Sequence, residues 1–351
     1  MAAHLRLANP PLLHETELML TNRGVVLSGL VVLGLLSNVF SVQAQTPTQI
    51  GPGIRVILLG TRGGPAIEAQ RPGIGTLIVA GRETLLIDCG RDMSAAIARM
   101  AIVPADVTKV FLTHLHSDHV VGLSELYLFP WATQGRSTPL QVWGPDGTKA
   151  MMEHLQKAFA FDIHIRRDVD EKFSADGIKV VASDVREGVA YRSNGVTVTA
   201  FLVDHAPVVP SFGYRVDYQG HSVVLSGDTR VSDNLIKSAK GADLLIHEVG
   251  MSKQDPRLAG PLDERLPNGR GTRRQLRSIV EHHTDPSEAG MIFEKVKPKL
   301  AVFSHYTGGV TTAALPLVRQ NYSGALEFGE DGMIIDVGET ISVKRLSPTG
   351  R

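Results

Sequence analysis

The sequence predicts an α/β fold with a single domain, in which two β-sheets pack together and helices lie outside them. Three observations predict this fold. Apolar runs typical of buried strands recur from Ile54 onward, they come first in succession and later alternate with helical patterns, and 351 residues suffice for one large core. Because no internal repeat or long linker divides the chain, one domain is the simplest interpretation.

The chain contains strand and helix patterns that can be placed in order. Apolar and β-branched runs predict strands over 54–59, 76–80, 84–88, 109–113, 179–183, 196–204, 211–218, 222–228, 243–248 and 300–305. Helical spacing of apolar residues predicts helices over 94–100, 148–159, 232–238, 286–296 and 311–320. The segment from Met251 to Arg277 is rich in Pro, Gly and Arg, and we expect a long surface loop there.

The overall composition is ordinary for a globular protein and excludes several classes. Lys and Arg number 36 and are balanced by 36 Asp and Glu, while 43% of residues are hydrophobic and 21% are charged. These values exclude a disordered chain, a collagen-like chain and a polytopic membrane protein. The neutral balance argues against broad nucleic-acid binding, because affinity for phosphate depends on clustered basic side chains.

The first 44 residues have the pattern of a secretory signal peptide. Residues 24–42 carry no charge, Arg23 precedes them, and Val42 and Ala44 place small residues at positions −3 and −1 of a cleavage site. We therefore predict a signal peptide over 1–44, a mature domain over 45–351, and a periplasmic or secreted protein without stable membrane association. A retained membrane anchor stays open as an alternative, and so does a start at Met19 rather than Met1.

Four metal-ligating side chains lie within six residues, directly after the predicted strand 109–113. His114, His116, Asp118 and His119 follow that strand at the point where a helix begins. His114 and His116 are two positions apart, so they project to the same side of an extended segment. Imidazole and carboxylate groups suit Zn²⁺ and similar divalent ions. The cluster therefore predicts a metal site.

Three more ligand-type residues stand at the carboxyl ends of later predicted strands. His205 follows the strand 196–204, Asp228 ends the strand 222–228, and His305 ends the strand 300–305. In α/β proteins this end of the strands is where sites are formed. Together with the cluster they make seven ligands, which is enough for two metal ions that share a carboxylate.

The segment HLHSDH (114–119), followed by a spaced His, Asp and His, resembles the motif of the metallo-β-lactamase superfamily. The resemblance extends from about Gly53 to Val343 and implies an αββα sandwich with a metal site between its sheets. It implies two divalent metal ions, with zinc expected and iron or manganese as alternatives. It assigns His114, His116 and His205 to one metal, Asp118, His119 and His305 to the other, and Asp228 to the bridge between them.

Further segments are similar to ribonuclease Z and its relatives. They are LLGT (58–61), LLIDCG (85–90), SGDTR (226–230), HEV (247–249), HHTDPSEAG (282–290) and SHY (304–306). The resemblance implies a proton relay formed by Glu248 and His283, in which a carboxylate orients an imidazole that protonates a leaving oxygen. His282 stays open as an alternative to His283. The expected catalytic residues are Asp118, Glu248 and His283.

The resemblance implies a hydrolase in which two metal ions share a hydroxide that attacks an ester. Transfer RNA is disfavoured as a substrate, because an exported enzyme does not meet it. The family's tRNA-binding arm is also a long insertion between the third histidine and the bridging aspartate, whereas His205 and Asp228 lie only 23 positions apart. Similarity to secreted arylsulfatases of this superfamily favours a small anionic ester as substrate, either an aryl sulfate or a phosphodiester.

Other functions stay open at this point. They are a lactonase or β-lactamase-type acyl hydrolase, a ribonuclease Z-like phosphodiesterase and an inactive metal-binding module. Phe129 and Trp131 could flank an aromatic leaving group or belong to the core. The loop arginines Arg265, Arg270, Arg273, Arg274 and Arg277 could bind sulfate or phosphate oxygens or could be solvated. Relatives in the resembled family often form dimers, so a homodimer is a further possibility.

Overall fold

Two β-sheets face each other in the computed structural model, and helices cover both outer faces. The structure describes residues 53–267, 271–307, 310 and 312–345. The predicted signal peptide, residues 1–44, lies outside the described residues and stays a prediction. Among the described residues, no helix combines the length and the apolar character needed to span a membrane.

The first sheet has eight strands among the described residues. In chain order they are β1 (Ile54–Gly60), β2 (Gly75–Ala80), β3 (Glu83–Ile87), β4 (Lys109–Phe111), β5 (Leu140–Gly144), β6 (Val180–Asp184), β14 (Met333–Val337) and β15 (Ile341–Lys344). Their spatial order is β15-β14-β1-β2-β3-β4-β5-β6. Strands β3 to β6 run parallel, so their carboxyl ends lie at one edge of the sheet.

The second sheet has seven strands in that same part of the chain. They are β7 (Gly188–Ser193), β8 (Val196–Leu202), β9 (Phe212–Tyr218), β10 (His221–Leu225), β11 (Leu244–Val249), β12 (Leu300–Tyr306) and β13 (Leu326–Phe328). Their spatial order is β13-β12-β11-β10-β9-β8-β7. Strands β10 to β13 run parallel, which collects the ends of β10, β11 and β12 at one edge.

Helices occupy the outer layers and the connections. They are α1 (Met93–Arg99), α2 (Ser117–Val120), α3 (Leu123–Gln134), α4 (Thr148–Ala158), α5 (Ala160–His164), α6 (Asp233–Ala239), α7 (Arg273–His282), α8 (Pro286–Val296) and α9 (Leu315–Arg319). Short 3₁₀ turns span Pro104–Asp106, Pro256–Leu258 and Thr312–Ala314, and a π turn spans Ile165–Val169.

Strand β1 shows why the central strands are apolar on both faces. Side chains alternate between the two faces of a strand. Val56 and Leu58 pack into the core between the sheets, whereas Ile57 and Leu59 pack against the outer helices. A strand buried on both faces therefore appears in the sequence as a nearly unbroken apolar run. The predicted two-sheet α/β fold is confirmed.

Helix α3 was missed from the sequence because Pro130 lies inside it. Proline has no N–H, so the carbonyl of Leu126, four residues earlier, loses its helical donor. Arg136 replaces that donor, with Nη1 at 2.7 Å from the Leu126 oxygen. Trp131, on the same helix, is buried and donates to the Ser174 carbonyl at 2.8 Å, so it belongs to the core. Phe129 is exposed.

Other segments also differ from the sequence-based expectation, which did not include strands β5, β7, β13, β14 and β15. The expected surface loop 251–277 ends earlier, because α7 begins at Arg273. Its start has a capping box in which Thr272 and Gln275 satisfy each other's backbone N–H groups, and this spacing of Thr and Gln is a sequence signal for a helix start. In place of one helix over 311–320, the structure has a 3₁₀ turn followed by the short helix α9. Position 311 lies outside the described residues.

Candidate metal centre

The candidate site lies at the edge where the parallel strands of both sheets end. The loop after β4 carries His114 and His116, and Asp118 and His119 follow in helix α2. The second sheet contributes residues from β12 and from the loops after β8 and β10, namely His305, His205 and Asp228. All seven side chains that the sequence analysis selected as ligands therefore meet at one place.

These side chains form two clusters, which we call the first and the second cluster. The first consists of His114, His116, His205 and Asp228, and the second of Asp118, His119 and His305. Within each cluster the potential ligand atoms lie within 4.8 Å of one another. This grouping is the one that the family resemblance implies, with Asp228 between the clusters.

The spacing of the donor atoms fits a divalent metal ion. Nε2 of His119 lies 3.0 Å from Nε2 of His305, and it lies 3.4 Å from Oδ2 of Asp228. Nε2 of His114 lies 3.8 Å from the same Asp228 oxygen. Two ligands of a tetrahedral ion, each at about 2.0–2.1 Å, lie about 3.3 Å apart. The imidazole and carboxylate donors are therefore both of the right type and at the right spacing to hold such ions.

The ring nitrogens that face away from the clusters are held by hydrogen bonds. Nδ1 of His119 lies 2.9 Å from Oδ2 of Asp88, and Nδ1 of His205 lies 3.1 Å from the backbone oxygen of His282. Nδ1 of His114 lies 3.1 Å from the Thr113 hydroxyl. A partner of this kind fixes the ring and its tautomer, which leaves the opposite nitrogen available as a ligand.

The electrostatics of the two clusters differ. Burial lowers the pKa of His114 well below its usual value, so its imidazole is neutral, as a ligand must be. Burial alone would also lower the pKa of His119, but the carboxylates of Asp228 and Asp88 outweigh it and raise that pKa well above its usual value. The carboxylates of Asp228 and Asp88 thus favour positive charge beside His119, and a bound divalent ion would supply that charge.

The segment 61–64 reaches the second cluster from the end of β1. The backbone N–H of Gly64 donates to Oδ2 of Asp118 at 2.9 Å. Gly63 packs so closely that a Cβ added to it would lie 2.9 Å from Nδ1 of His305. His305 itself has φ of 48°, a left-handed conformation that is uncommon outside glycine and typical of constrained sites.

Glu248 and His283 lie together beside the clusters. Nδ1 of His283 is 3.1 Å from Oε1 of Glu248, which also accepts the backbone N–H groups of Thr229 at 3.0 Å and Thr284 at 3.1 Å. Burial alone would lower the pKa of His283, but the Glu248 carboxylate outweighs it and raises the pKa to about 9. His282 contacts the site through its backbone oxygen, so the structure pairs His283 with Glu248.

Sequence reasoning missed Asp88 as a site residue, although a signal for it was present. Asp88 directly follows β3, has φ of 60° and is buried. Its carboxylate accepts the backbone N–H of Thr113 at 2.8 Å as well as contacting His119. Like the ligands, it is a carboxylate at the carboxyl end of a strand, within the quoted segment LLIDCG.

Three of the loop arginines contact neighbouring groups and none of the cluster residues. Arg273 pairs with Glu264, Arg274 pairs with Asp263 at 2.9 Å, and Arg277 donates to the Leu258 carbonyl at 2.9 Å. Arg270 lies outside the described residues.

The sheet pair and the histidine–aspartate clusters at its edge define a metallo-β-lactamase fold. The beta-lactamase superfamily domain model matches residues 83–306. Ribonuclease Z of Mycobacterium sp. (strain KMS) is 34% identical over 301 residues, which cover 83% of this chain and 99% of that protein. Ribonuclease Z of Mycolicibacterium gilvum (strain PYR-GCK) is 34% identical over 256 residues, which cover 72% and 84%.

Solved structures show the same fold. The metallo-beta-lactamase fold protein YhfI from Bacillus subtilis has a TM-score of 0.61 and 21% identity, covering 81% of this chain and 100% of that one. The short form of human tRNase Z has a TM-score of 0.57 and 23% identity, covering 80% and 98%. The chain belongs to the metallo-β-lactamase superfamily, within its ribonuclease Z branch.

Proposed function

We propose that this protein is a phosphodiesterase that uses two divalent metal ions, for which zinc is the first candidate. The observation that carries the proposal is the convergence of all seven ligand-type side chains in two adjoining clusters, with Asp228 between them. His114, His116 and His205 would hold one ion, Asp118, His119 and His305 the other, and Asp228 would contact both.

The chemistry divides between the ions and the protein. A pair of divalent ions supplies an activated water nucleophile and neutralises charge on the phosphoryl oxygens. The protein supplies the proton for the leaving group, since Nε2 of His283 is the ring nitrogen not bonded to Glu248. Glu248 keeps that imidazole oriented, because its Oε1 is itself held by two backbone N–H groups. The oxygen of the attacking water bonds to phosphorus while the P–O bond to the leaving group breaks. The leaving oxygen takes the His283 proton, and the proton that the water gives up restores the protonated His283.

The comparisons favour phosphodiesters over the aryl sulfates that the sequence analysis put beside them. Relatives named ribonuclease Z match this chain over nearly their whole length, and the cleavage of RNA is hydrolysis of a phosphodiester. The expectation of an arylsulfatase has no comparable support. The alternative of a ribonuclease Z-like phosphodiesterase is therefore the better supported of the functions considered.

We propose that the substrate is smaller than a precursor tRNA. Between His205 and Asp228 the chain forms only a loop, strand β9, a tight turn and strand β10. All residues of this stretch are described, and none of them forms the long arm that the family resemblance implies for gripping tRNA. The names of the relatives favour tRNA, so both substrates belong in the test.

Export to the periplasm or the medium is also part of the proposal. It is supported by the uncharged segment 24–42 and the small residues before position 45. Cell fractionation and amino-terminal sequencing of the protein test it. A cytoplasmic protein with an intact amino terminus would contradict export and would remove one reason for disfavouring tRNA.

The experiment compares three substrates on the full chain purified with its metals. These are bis-p-nitrophenyl phosphate, p-nitrophenyl sulfate and a precursor tRNA, each assayed also with Asp228→Ala. We expect turnover of the phosphodiester that the variant abolishes. Turnover of the sulfate alone would contradict the proposed reaction, and cleavage of the tRNA at a comparable kcat/KM would contradict the proposed substrate size. A protein that binds two metals but acts on none of the three would favour the acyl hydrolase or the inactive module.

A further inference from the structure

The segment 61–64, which follows β1, contacts two residues of the second cluster, the carboxylate of Asp118 and the ring of His305. Gly64 donates its N–H to Asp118, and Gly63 packs against the His305 ring. The segment is also paired with the end of β12, because Gly63 N–H donates to the Tyr306 carbonyl at 3.1 Å and Tyr306 N–H donates to the Thr61 carbonyl at 3.0 Å. The position of this segment therefore determines where Asp118 and His305 lie.

A partly buried polar network outside the site holds the same segment. Asp331, in the turn between β13 and β14, accepts the backbone N–H of Thr61 at 2.9 Å and its hydroxyl at 2.8 Å. The guanidinium of Arg71 completes the network, with Nε at 2.8 Å from Oδ2 of Asp331 and Nη2 at 2.9 Å from the Thr61 hydroxyl. We call Thr61, Arg71 and Asp331 the loop clamp.

The clamp is well built for positioning. The side chain of Asp331 is only 19% exposed, Thr61 is fully buried, and the Asp331–Arg71 pair combines charge with directed hydrogen bonds. Its two ends flank the loop 62–70, since Thr61 precedes the loop and Arg71 follows it. Fixing both ends of a loop limits the positions that the backbone between them can reach.

We propose that Asp331 and Arg71 are positioning residues for the second metal subsite. They contact none of its ligands and act through the backbone of Gly63 and Gly64 on His305 and Asp118. The inference rests on the proposed function, in that the second cluster is taken to hold an ion. It adds that the affinity for this ion depends on an ion pair between Arg71 and Asp331, which lie 260 positions apart in the sequence.

The test is the Asp331→Asn variant of the full chain, titrated with zinc in metal buffers. Bound zinc per chain is measured at each free concentration. We expect one ion to bind as in the wild type and the other to bind about 10- to 100-fold more weakly, the range typical of residues that orient metal ligands. Asparagine keeps the shape of the side chain and loses the charge that pairs with Arg71.

The matched control is Asp336→Asn. Asp336 likewise pairs with an arginine through two hydrogen bonds, from Arg55 at 2.6 and 3.0 Å, and its side chain is 22% exposed. That pair lies near the start of β1, whereas the clamp lies beyond its end. We expect Asp336→Asn to bind both ions like the wild type.

A second background separates positioning from a general loss of stability. His119→Ala removes a ligand of the second cluster, so adding Asp331→Asn to it should leave the affinity for the remaining ion unchanged. If Asp331→Asn does not fold, Arg71→Met serves as the second variant. It removes the guanidinium from the clamp and should lower the affinity for the same ion to a smaller degree. Circular dichroism and melting curves of each variant show whether it is folded.

The outcomes are distinct. The inference is overturned if Asp331→Asn and Arg71→Met bind both ions with wild-type affinity. It is also overturned if the affinities for both ions fall to the same degree, or if Asp336→Asn lowers the affinity for one ion as Asp331→Asn does. A wild-type chain that binds no divalent ion would instead overturn the proposed function, and this inference with it.

Discussion

The two clusters differ in how firmly the protein holds them. In the second cluster His119 and His305 are buried. The Asp88 carboxylate holds the His119 ring, and the backbone N–H of Gly64 donates to Asp118. In the first cluster His116 is exposed, and His205 is oriented by a backbone carbonyl. One cluster is thus enclosed and tied to the fold by charged and amide groups, whereas the other opens towards solvent.

The difference suggests a division of work at the site. An ion held by buried, oriented ligands keeps its position, whereas an ion with an exposed ligand can be approached by a substrate. Because Asp228 lies in contact range of both clusters, it connects the rigid side to the open side. Substitutions at Asp228, Glu248, Asp88 and Asp331 test this contrast.

Asp228→Ala should have the largest effect, because it removes a carboxylate that lies within reach of both clusters. We expect the loss of several kcal/mol of transition-state stabilisation, which is a decrease of at least about 10³-fold in kcat/KM for bis-p-nitrophenyl phosphate. Bound metal, measured by atomic emission, should fall for both ions. A variant that keeps two tightly bound ions would break the picture of a shared bridge.

Glu248→Gln should reduce turnover without removing metal, because Glu248 orients His283 and belongs to neither cluster. We expect kcat to fall about 10²-fold, within the range for general acid–base groups, while two ions stay bound. The matched control is Glu281→Gln, since Glu281 is exposed and lies near the end of α7. Loss of metal in Glu248→Gln, or an equal effect in the control, would argue against a relay.

Asp88→Asn should affect the second cluster more than the first, because Asp88 contacts His119 directly and reaches His114 only through the Thr113 hydroxyl. The amide cannot match the carboxylate beside His119, and we expect about 10- to 100-fold weaker binding of one ion. Asn tolerates the left-handed conformation of this position, so the backbone should be preserved. Asp92→Asn is the control, because Asp92 has φ of 59° in the same loop and a side chain that is 49% exposed. Equal weakening of both ions would erase the proposed difference.

The smallest effect concerns the stability of the clamp behind the second cluster. Burial alone would raise the pKa of Asp331, but Arg71 and Thr61 outweigh it and lower that pKa. We expect Asp331→Asn to lower the free energy of unfolding at pH 7 by about 1–2 kcal/mol, measured by urea denaturation with metals chelated. A lowered folded-state pKa stabilises the protein fully above about pH 4, near the pKa of unfolded Asp, and the contribution is lost as the pH falls towards the folded value. A difference that grew on acidification would contradict this sign.

Helices α3 and α7 were missed from the sequence for different physical reasons. Helix α3 contains a proline whose missing donor is replaced by Arg136, which follows the helix in sequence and folds back on it. Such replacement is visible only when the side chain can be followed in space. The capping box of α7, in contrast, is local, and its Thr and Gln could have been recognised from their spacing.

The sequence by itself determined the two-sheet fold, the candidate ligand residues and the edge at which they meet. Periodicity reports which faces of a strand are buried, and the carboxyl ends of neighbouring parallel strands necessarily lie together. Only the tertiary structure decided how those ligands are held. Asp88 reaches His119 across 31 positions, Glu248 selects His283 across 35, and Asp331 holds Thr61 across 270. Contacts of this kind depend on side-chain directions and backbone spacing at a distance, which no local pattern of residues encodes.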